Sequence, residues 1–83
     1  MFEVILQKSA ERDLKKLDSS IQKRIIDKLF ELKENPLLGI PLTGHLSGLR
    51  KLRIGDYRAI YQIRNQELII LVVKIGHRKN VYE

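Results

Sequence analysis

Cysteine and tryptophan are both absent from this 83-residue chain, and methionine occurs only at position 1. Without cysteine there is no disulfide scaffold and no thiolate metal site, which fits a reducing cytoplasm. The two histidines, His45 and His77, stand too far apart in sequence to suggest a zinc site, so no metal is expected. Glycine is sparse, and no GxxxxGK[ST] pattern occurs, which excludes that phosphate-cradling loop. Long apolar runs are missing too. The longest, Leu68 to Val73, is far short of the roughly 20 residues a membrane helix needs. Met1–Val4 lacks a basic n-region, so neither a signal peptide nor a membrane partner is expected.

What the chain does have is charge, unevenly spread. The formal net charge is +6. Residues 1–47 hold eight bases and seven acids, a balanced solvated surface. Residues 48–83 hold eight bases against only Asp56, Glu67 and Glu83, a net +5. A positive field of that kind favours a polyanionic or acidic partner. Hydrophobic residues at 43% and charged residues at 31% suit one small globular domain spanning residues 1–83.

Local patterns give the element order. Phe2–Gln7 alternates weakly and reads as a strand. Ser9 offers an N-cap, and Ala10, Leu14 and Leu17 form one stripe of a short helix over residues 10–17. Asp18, Ser19 and Ser20 open a longer helix over about 19–34, with Ile21, Ile25, Leu29 and Leu32 at helical spacing. Asn35-Pro36 stops it, because the residue before proline disfavours helix. Residues 35–47 read as a loop pinned to the core by Leu37, Leu38 and Leu42. Strands follow at about 48–54, 57–64 and 67–75, with Gly55-Asp56 and Asn65-Gln66 as turns. The expected architecture is α+β: a two-helix hairpin on one face of a small, mainly antiparallel four-stranded sheet, β-α-α-β-β-β. Leu68–Val73 is apolar at every position, so the last strand should lie inside the sheet, with the first strand beside it.

A two-residue turn at Gly55-Asp56 sets a register. Ile54 falls opposite Tyr57, Arg53 opposite Arg58, Leu52 opposite Ala59 and Lys51 opposite Ile60. Alternation then divides the hairpin. Leu52, Ile54, Tyr57, Ala59, Tyr61 and Ile63 share the face that receives the helices. Lys51, Arg53, Arg58, Gln62 and Arg64 share the open face. Like charges directly across a strand pair cost roughly 0.2–1 kcal/mol. Arg53 against Arg58 therefore implies an anion for that surface, a carboxylate to pair it, or arginines splayed into solvent. Beyond the last strand, Gly76 allows a bend, Arg78 offers a guanidinium fork, Tyr82 a phenol and His77 an imidazole.

The run Lys51-Leu52-Arg53-Ile54-Gly55-Asp56-Tyr57-Arg58-Ala59-Ile60-Tyr61-Gln62-Ile63 resembles the KxR-x-GxYRxxYxI block of the RelE/ParE toxin superfamily. Ile75-Gly76-His77-Arg78-Lys79-Asn80-Val81-Tyr82 resembles its GHRxxVY ending, and the element order is similar along the whole chain. RelE-type members cut mRNA in the ribosomal A site, whereas ParE-type members inhibit DNA gyrase on the same fold. The resemblance implies a type II toxin of the RelE branch, a ribosome-dependent endoribonuclease without cofactor or metal. Its catalytic set would be Lys51, Arg58, Arg78 and Tyr82, with Arg50, Arg53, His77 and Lys79 as further RNA-binding residues. At the position of a second family lysine this chain has Leu49, and the Arg78–Tyr82 interval is short for the family. The implied partners are the ribosome, mRNA and a RelB-like antitoxin with acidic and amphipathic segments, all in the cytoplasm. A ParE-like gyrase inhibitor and a catalytically weak antitoxin-binding module are the alternatives.

In the nuclease reading the RNA 2′-hydroxyl attacks the adjacent phosphate. Arg58 and Arg78 would hold the developing charge. Lys51 would take the proton, with clustered cations favouring its neutral form. Tyr82 would stack or exchange a proton, and His77 is the alternative acid or base.

Overall fold

The computed structural model of the chain describes residues 1–79. A first strand, β1 (Glu3–Leu6), is followed by two helices, α1 (Lys8–Lys15) and α2 (Ser19–Phe30). Four strands come next: β2 (Ile40–Pro41), β3 (Arg50–Ile54), β4 (Tyr57–Arg64) and β5 (Ile69–His77). They form one sheet in the order β1-β5-β4-β3-β2, with β1 parallel to β5 and every other pair antiparallel. The sheet therefore has five strands, where sequence patterning leads to four. The additional strand is the two-residue β2, inside the segment that reads as loop. A strand so short leaves no alternation to detect, and its Pro41 fits only at a sheet edge because it cannot donate to a ladder.

The helices bury one face of this sheet. Ala10 and Leu14 of α1 and Ile25 and Leu29 of α2 pack on Leu52, Ile54, Ala59, Tyr61, Ile70, Val72 and Ile75. After Phe30 the helix tightens into a 3₁₀ turn over Glu31–Lys33, which brings Leu32 into the same core before Asn35-Pro36 ends the run. β5 lies between β1 and β4, as its all-apolar run requires.

Helix α1 does a second job. β1 pairs with β5 only as far as Val72, so the rest of that strand's edge needs other partners. Ser9 Oγ donates to the Val73 carbonyl at 2.8 Å, and Asp13 Oδ2 accepts from the Ile75 N–H at 3.0 Å. Lys74 Nζ lies 3.6 Å from the other Asp13 oxygen. Ser9 is thus inside α1, with Gln7 at the N-cap position. An unpaired carbonyl at a sheet edge is an acceptor that a capping geometry would leave unsatisfied. Val73 is also the extra residue of a β-bulge: Ile60 pairs with Lys74, and Tyr61 with Val72.

Of the three leucines expected to pin the segment before β3, only Leu42 is half-buried, and polar groups hold the part before it. Leu37 and Leu38 are 67% and 36% exposed. The Tyr61 hydroxyl accepts from the Gly39 N–H at 2.9 Å and donates to the Pro36 carbonyl at 2.6 Å. Arg50 Nη2 donates to the Gly39 carbonyl at 2.7 Å and to the Leu37 carbonyl at 3.3 Å. Gly39 sits so close that a Cβ would come within 2.6 Å of the Lys51 carbonyl and 2.8 Å of the Tyr61 ring. Only glycine fits there. No helix among the described residues is long and apolar enough to cross a membrane.

Candidate nucleic-acid interface

The β3–β4 hairpin turns at Gly55-Asp56, where Gly55 has φ +59°, and it adopts the register expected from that turn. Arg53 stands opposite Arg58, and Lys51 opposite Ile60. These side chains lie on the sheet face away from the helices. Ile60 shares that face and is nonetheless fully buried, between Lys51 and Lys74 in the register.

The two arginines have different surroundings. Arg53 is exposed. Arg58 is 8% exposed, and its Nη1 donates to the Gly55 carbonyl at 3.3 Å and the Tyr57 carbonyl at 3.1 Å. No carboxylate pairs with Arg58 among the described residues. A buried guanidinium normally has an acid beside it, since desolvation costs several kcal/mol per ion. Two neutral carbonyls offset part of that cost and leave the charge uncompensated.

In front of Arg58 is an open cleft of about 430 Å³. It is lined by Lys51, Leu52, Arg53 and Arg58 of the β3–β4 hairpin, by Leu38, Gly39 and Ile40 of the preceding segment, and by Lys28 of α2, with Ile40 the direct strand partner of Lys51. None of the described residues that line it is acidic. Lys28 and Ile40 are functional candidates that sequence patterning misses. Lys28 reads as part of a balanced helix surface, and its ammonium is 3.3 Å from Glu31. Ile40 reads as loop, yet it pairs with Lys51 and is 60% exposed.

The remaining expected residues divide. Arg78 is exposed, and its N–H donates to the Asp56 carbonyl at 2.8 Å, which ties the start of the tail to the hairpin turn. Gly76, two residues earlier, is the strand partner of Arg58. Arg78 is therefore brought to the cationic end of the sheet, and Lys79 beside it is exposed. His77 goes elsewhere. It pairs with Tyr57 on the helix-facing side, and the two rings meet edge to face at 5.5 Å and 79°. Its Nδ1 accepts from the Lys79 N–H at 3.3 Å. Arg50 is on the Tyr61 side of β3, engaged with the loop carbonyls. Tyr82 lies outside the described residues.

This arrangement can bind an oxyanion. Arg58 and Arg53 present fixed positive charge to a concave surface that Lys51 also lines, and the Arg78 backbone is tied to the hairpin turn beside them. A guanidinium offers parallel donors that match two phosphate oxygens.

Comparison with known proteins gives concordant matches. The family model described as the ParE toxin of the type II toxin–antitoxin system parDE matches residues 4–82. The toxin RelG of Mycobacterium tuberculosis is 33% identical over 76 residues, covering 89% of this chain and 87% of that one. The mRNA interferase toxin RelE of Escherichia coli K12 is 29% identical over 74 residues, covering 82% of this chain and 74% of that one. Among solved structures, the toxin–antitoxin complex RelBE2 of M. tuberculosis contains a chain that superimposes with a TM-score of 0.88. It is 32% identical, and the match covers 93% of this chain and 98% of that one.

Proposed function

The chain belongs to the ParE toxin family of type II toxin–antitoxin systems, and from that premise we propose that it is a ribosome-dependent endoribonuclease that cuts mRNA in the A site. The observation that carries this reading is Arg58: a buried cation with no carboxylate partner among the described residues, in a cleft lined by further cations. A surface kept in that state has an anion as its ligand, and the scissile phosphate is the anion this chemistry supplies.

The 2′-hydroxyl attacks the neighbouring phosphorus, and the bond from phosphorus to the 5′-oxygen breaks. The products are a 2′,3′-cyclic phosphate and a 5′-hydroxyl. Lys51, half-buried on the cleft wall, receives the 2′-hydroxyl proton. Arg58 and Arg78 hold the charge that develops on the phosphate, and Arg53 and Lys79 draw in the flanking backbone. Tyr82 is the proton donor or stacking residue of the tail. His77 on the opposite face is not needed for the step. With no imidazole–carboxylate pair at the cleft among the described residues, chemistry on free RNA is slow, and the ribosome supplies the alignment. A RelB-like antitoxin with acidic and apolar segments neutralises the toxin. All of these partners place it in the cytoplasm.

One observation favours the second reading, a gyrase inhibitor: the matching family model carries the ParE description. Primer extension on translated transcripts, run beside a DNA supercoiling assay with purified gyrase, separates the two. New 5′ ends within codons and unimpaired supercoiling are expected. Intact transcripts with blocked supercoiling would establish the gyrase reading instead.

A further inference from the structure

The cleft before Arg58 has a mixed lining, part cationic and part aliphatic. The aliphatic part is the lip carrying Leu38 and Ile40, which are 36% and 60% exposed, with Ile40 beside Lys51 in the register. The lip is also firmly held. Tyr61 bonds both Pro36 and Gly39, Arg50 bonds the Gly39 carbonyl, and the close packing of Gly39 fixes the backbone against β3. The position of the lip against β3 is thus set by a buried tyrosine and an arginine strap, not by the exposed side chains themselves.

A rigid opening of about 430 Å³ is within the range of small-ligand pockets, and it is large enough for a single nucleotide. A flat group with apolar faces, joined covalently to an anion, matches both the aliphatic and the cationic part of the lining. A nucleotide of single-stranded RNA has that form. We propose that Leu38 and Ile40 bind the base of the nucleotide whose phosphate meets Arg58, through contact with the face of the ring. This rests on the ribonuclease reading and names the binding residues within it. Leucine and isoleucine present no donors or acceptors, so the site holds a base without reading its edge. Discrimination among the four bases at this position is therefore within a few-fold, since apolar contact separates similar groups weakly.

The test is the double variant Leu38→Ala/Ile40→Ala, in single-turnover cleavage of ribosome-bound mRNA over a range of toxin concentrations. The half-saturating concentration should rise roughly tenfold, from the aliphatic contact removed, with the plateau rate within about twofold. Ile40→Leu should restore most of the affinity, and the unfolding midpoint should hardly move because both side chains are exposed. An unchanged half-saturating concentration would overturn the inference, as would a fall in plateau rate alone. Wild-type cleavage joined to weakened binding of the co-expressed RelB-type antitoxin would assign the lip to a protein partner and overturn it as well. A wild-type chain that cuts nothing would remove the ribonuclease reading and this inference together, before any variant is made.

Discussion

Replacing Arg58 by methionine should make the protein more stable while removing its activity. Arg58 as a residue is 8% exposed, stands opposite Arg53 across the strand pair, and bonds two carbonyls through its guanidinium at 3.1 and 3.3 Å. Losing those bonds costs about 1–3 kcal/mol for the pair, taken low because both are long and the Gly55 carbonyl is next to solvent. Removing the buried charge returns several kcal/mol of desolvation, and the repulsion with Arg53, roughly 0.2–1 kcal/mol, goes with it. Methionine keeps a flexible apolar stem in the same space. The balance favours the variant by about 1 kcal/mol. For a domain of this size that raises the unfolding midpoint by about 4–8 °C. Thermal unfolding followed by circular dichroism measures it, and ribosome-dependent cleavage should fall at least about 100-fold in the same preparation. A midpoint lowered by several degrees would refute the reasoning, because Arg58 would then be a structural residue satisfied by its carbonyls and not a charge awaiting an anion.

Other substitutions test separate parts of the account. Arg78→Ala should lower cleavage by about 10²–10³ while shifting stability by less than about 0.5 kcal/mol, with Lys79→Ala as the control of equal charge. Equal losses in both would reduce Arg78 to a share of the general positive field. Gly39→Ala places a Cβ 2.6 Å from the Lys51 carbonyl and should destabilise by about 1–3 kcal/mol in urea unfolding. An unchanged midpoint there would show that the lip is not rigid. Asp13→Ala leaves the Ile75 N–H at the edge of β5 without its acceptor and should cost about 1–3 kcal/mol, whereas Asp13→Asn, which keeps an oxygen, should recover most of it.

Much of the site's framework is legible in the sequence because it depends on short-range rules. The Gly55-Asp56 turn fixes the β3–β4 register, and alternation then puts Lys51, Arg53 and Arg58 on one face. The all-apolar run of β5 places it inside the sheet. What escapes sequence reasoning depends on contacts between distant segments. The partnership of Ser9 and Asp13 with the edge of β5 requires knowing where β1 stops pairing. Strand β2 exists only because Gly39 packs against Tyr61 and Arg50 holds the loop. The bulge at Val73 breaks the period of two along β5, so the face on which His77 emerges cannot be counted from Leu71. Arg50 and Arg53 look alike in sequence, yet adjacent parities send one to a structural strap and the other to the open cationic face.

The most direct test of the proposed chemistry uses two mRNAs that differ by one oxygen. One has ribose throughout; the other has a 2′-deoxy residue at the nucleotide preceding the cut. Each is bound to ribosomes, exposed to the wild-type chain in a single turnover, and its 5′ fragment analysed by mass spectrometry. The all-ribose message should be cut in the A-site codon and end in a 2′,3′-cyclic phosphate, and the deoxy message should stay intact. Equal cleavage of both messages, or of neither, would contradict attack by the 2′-hydroxyl at the cationic cleft.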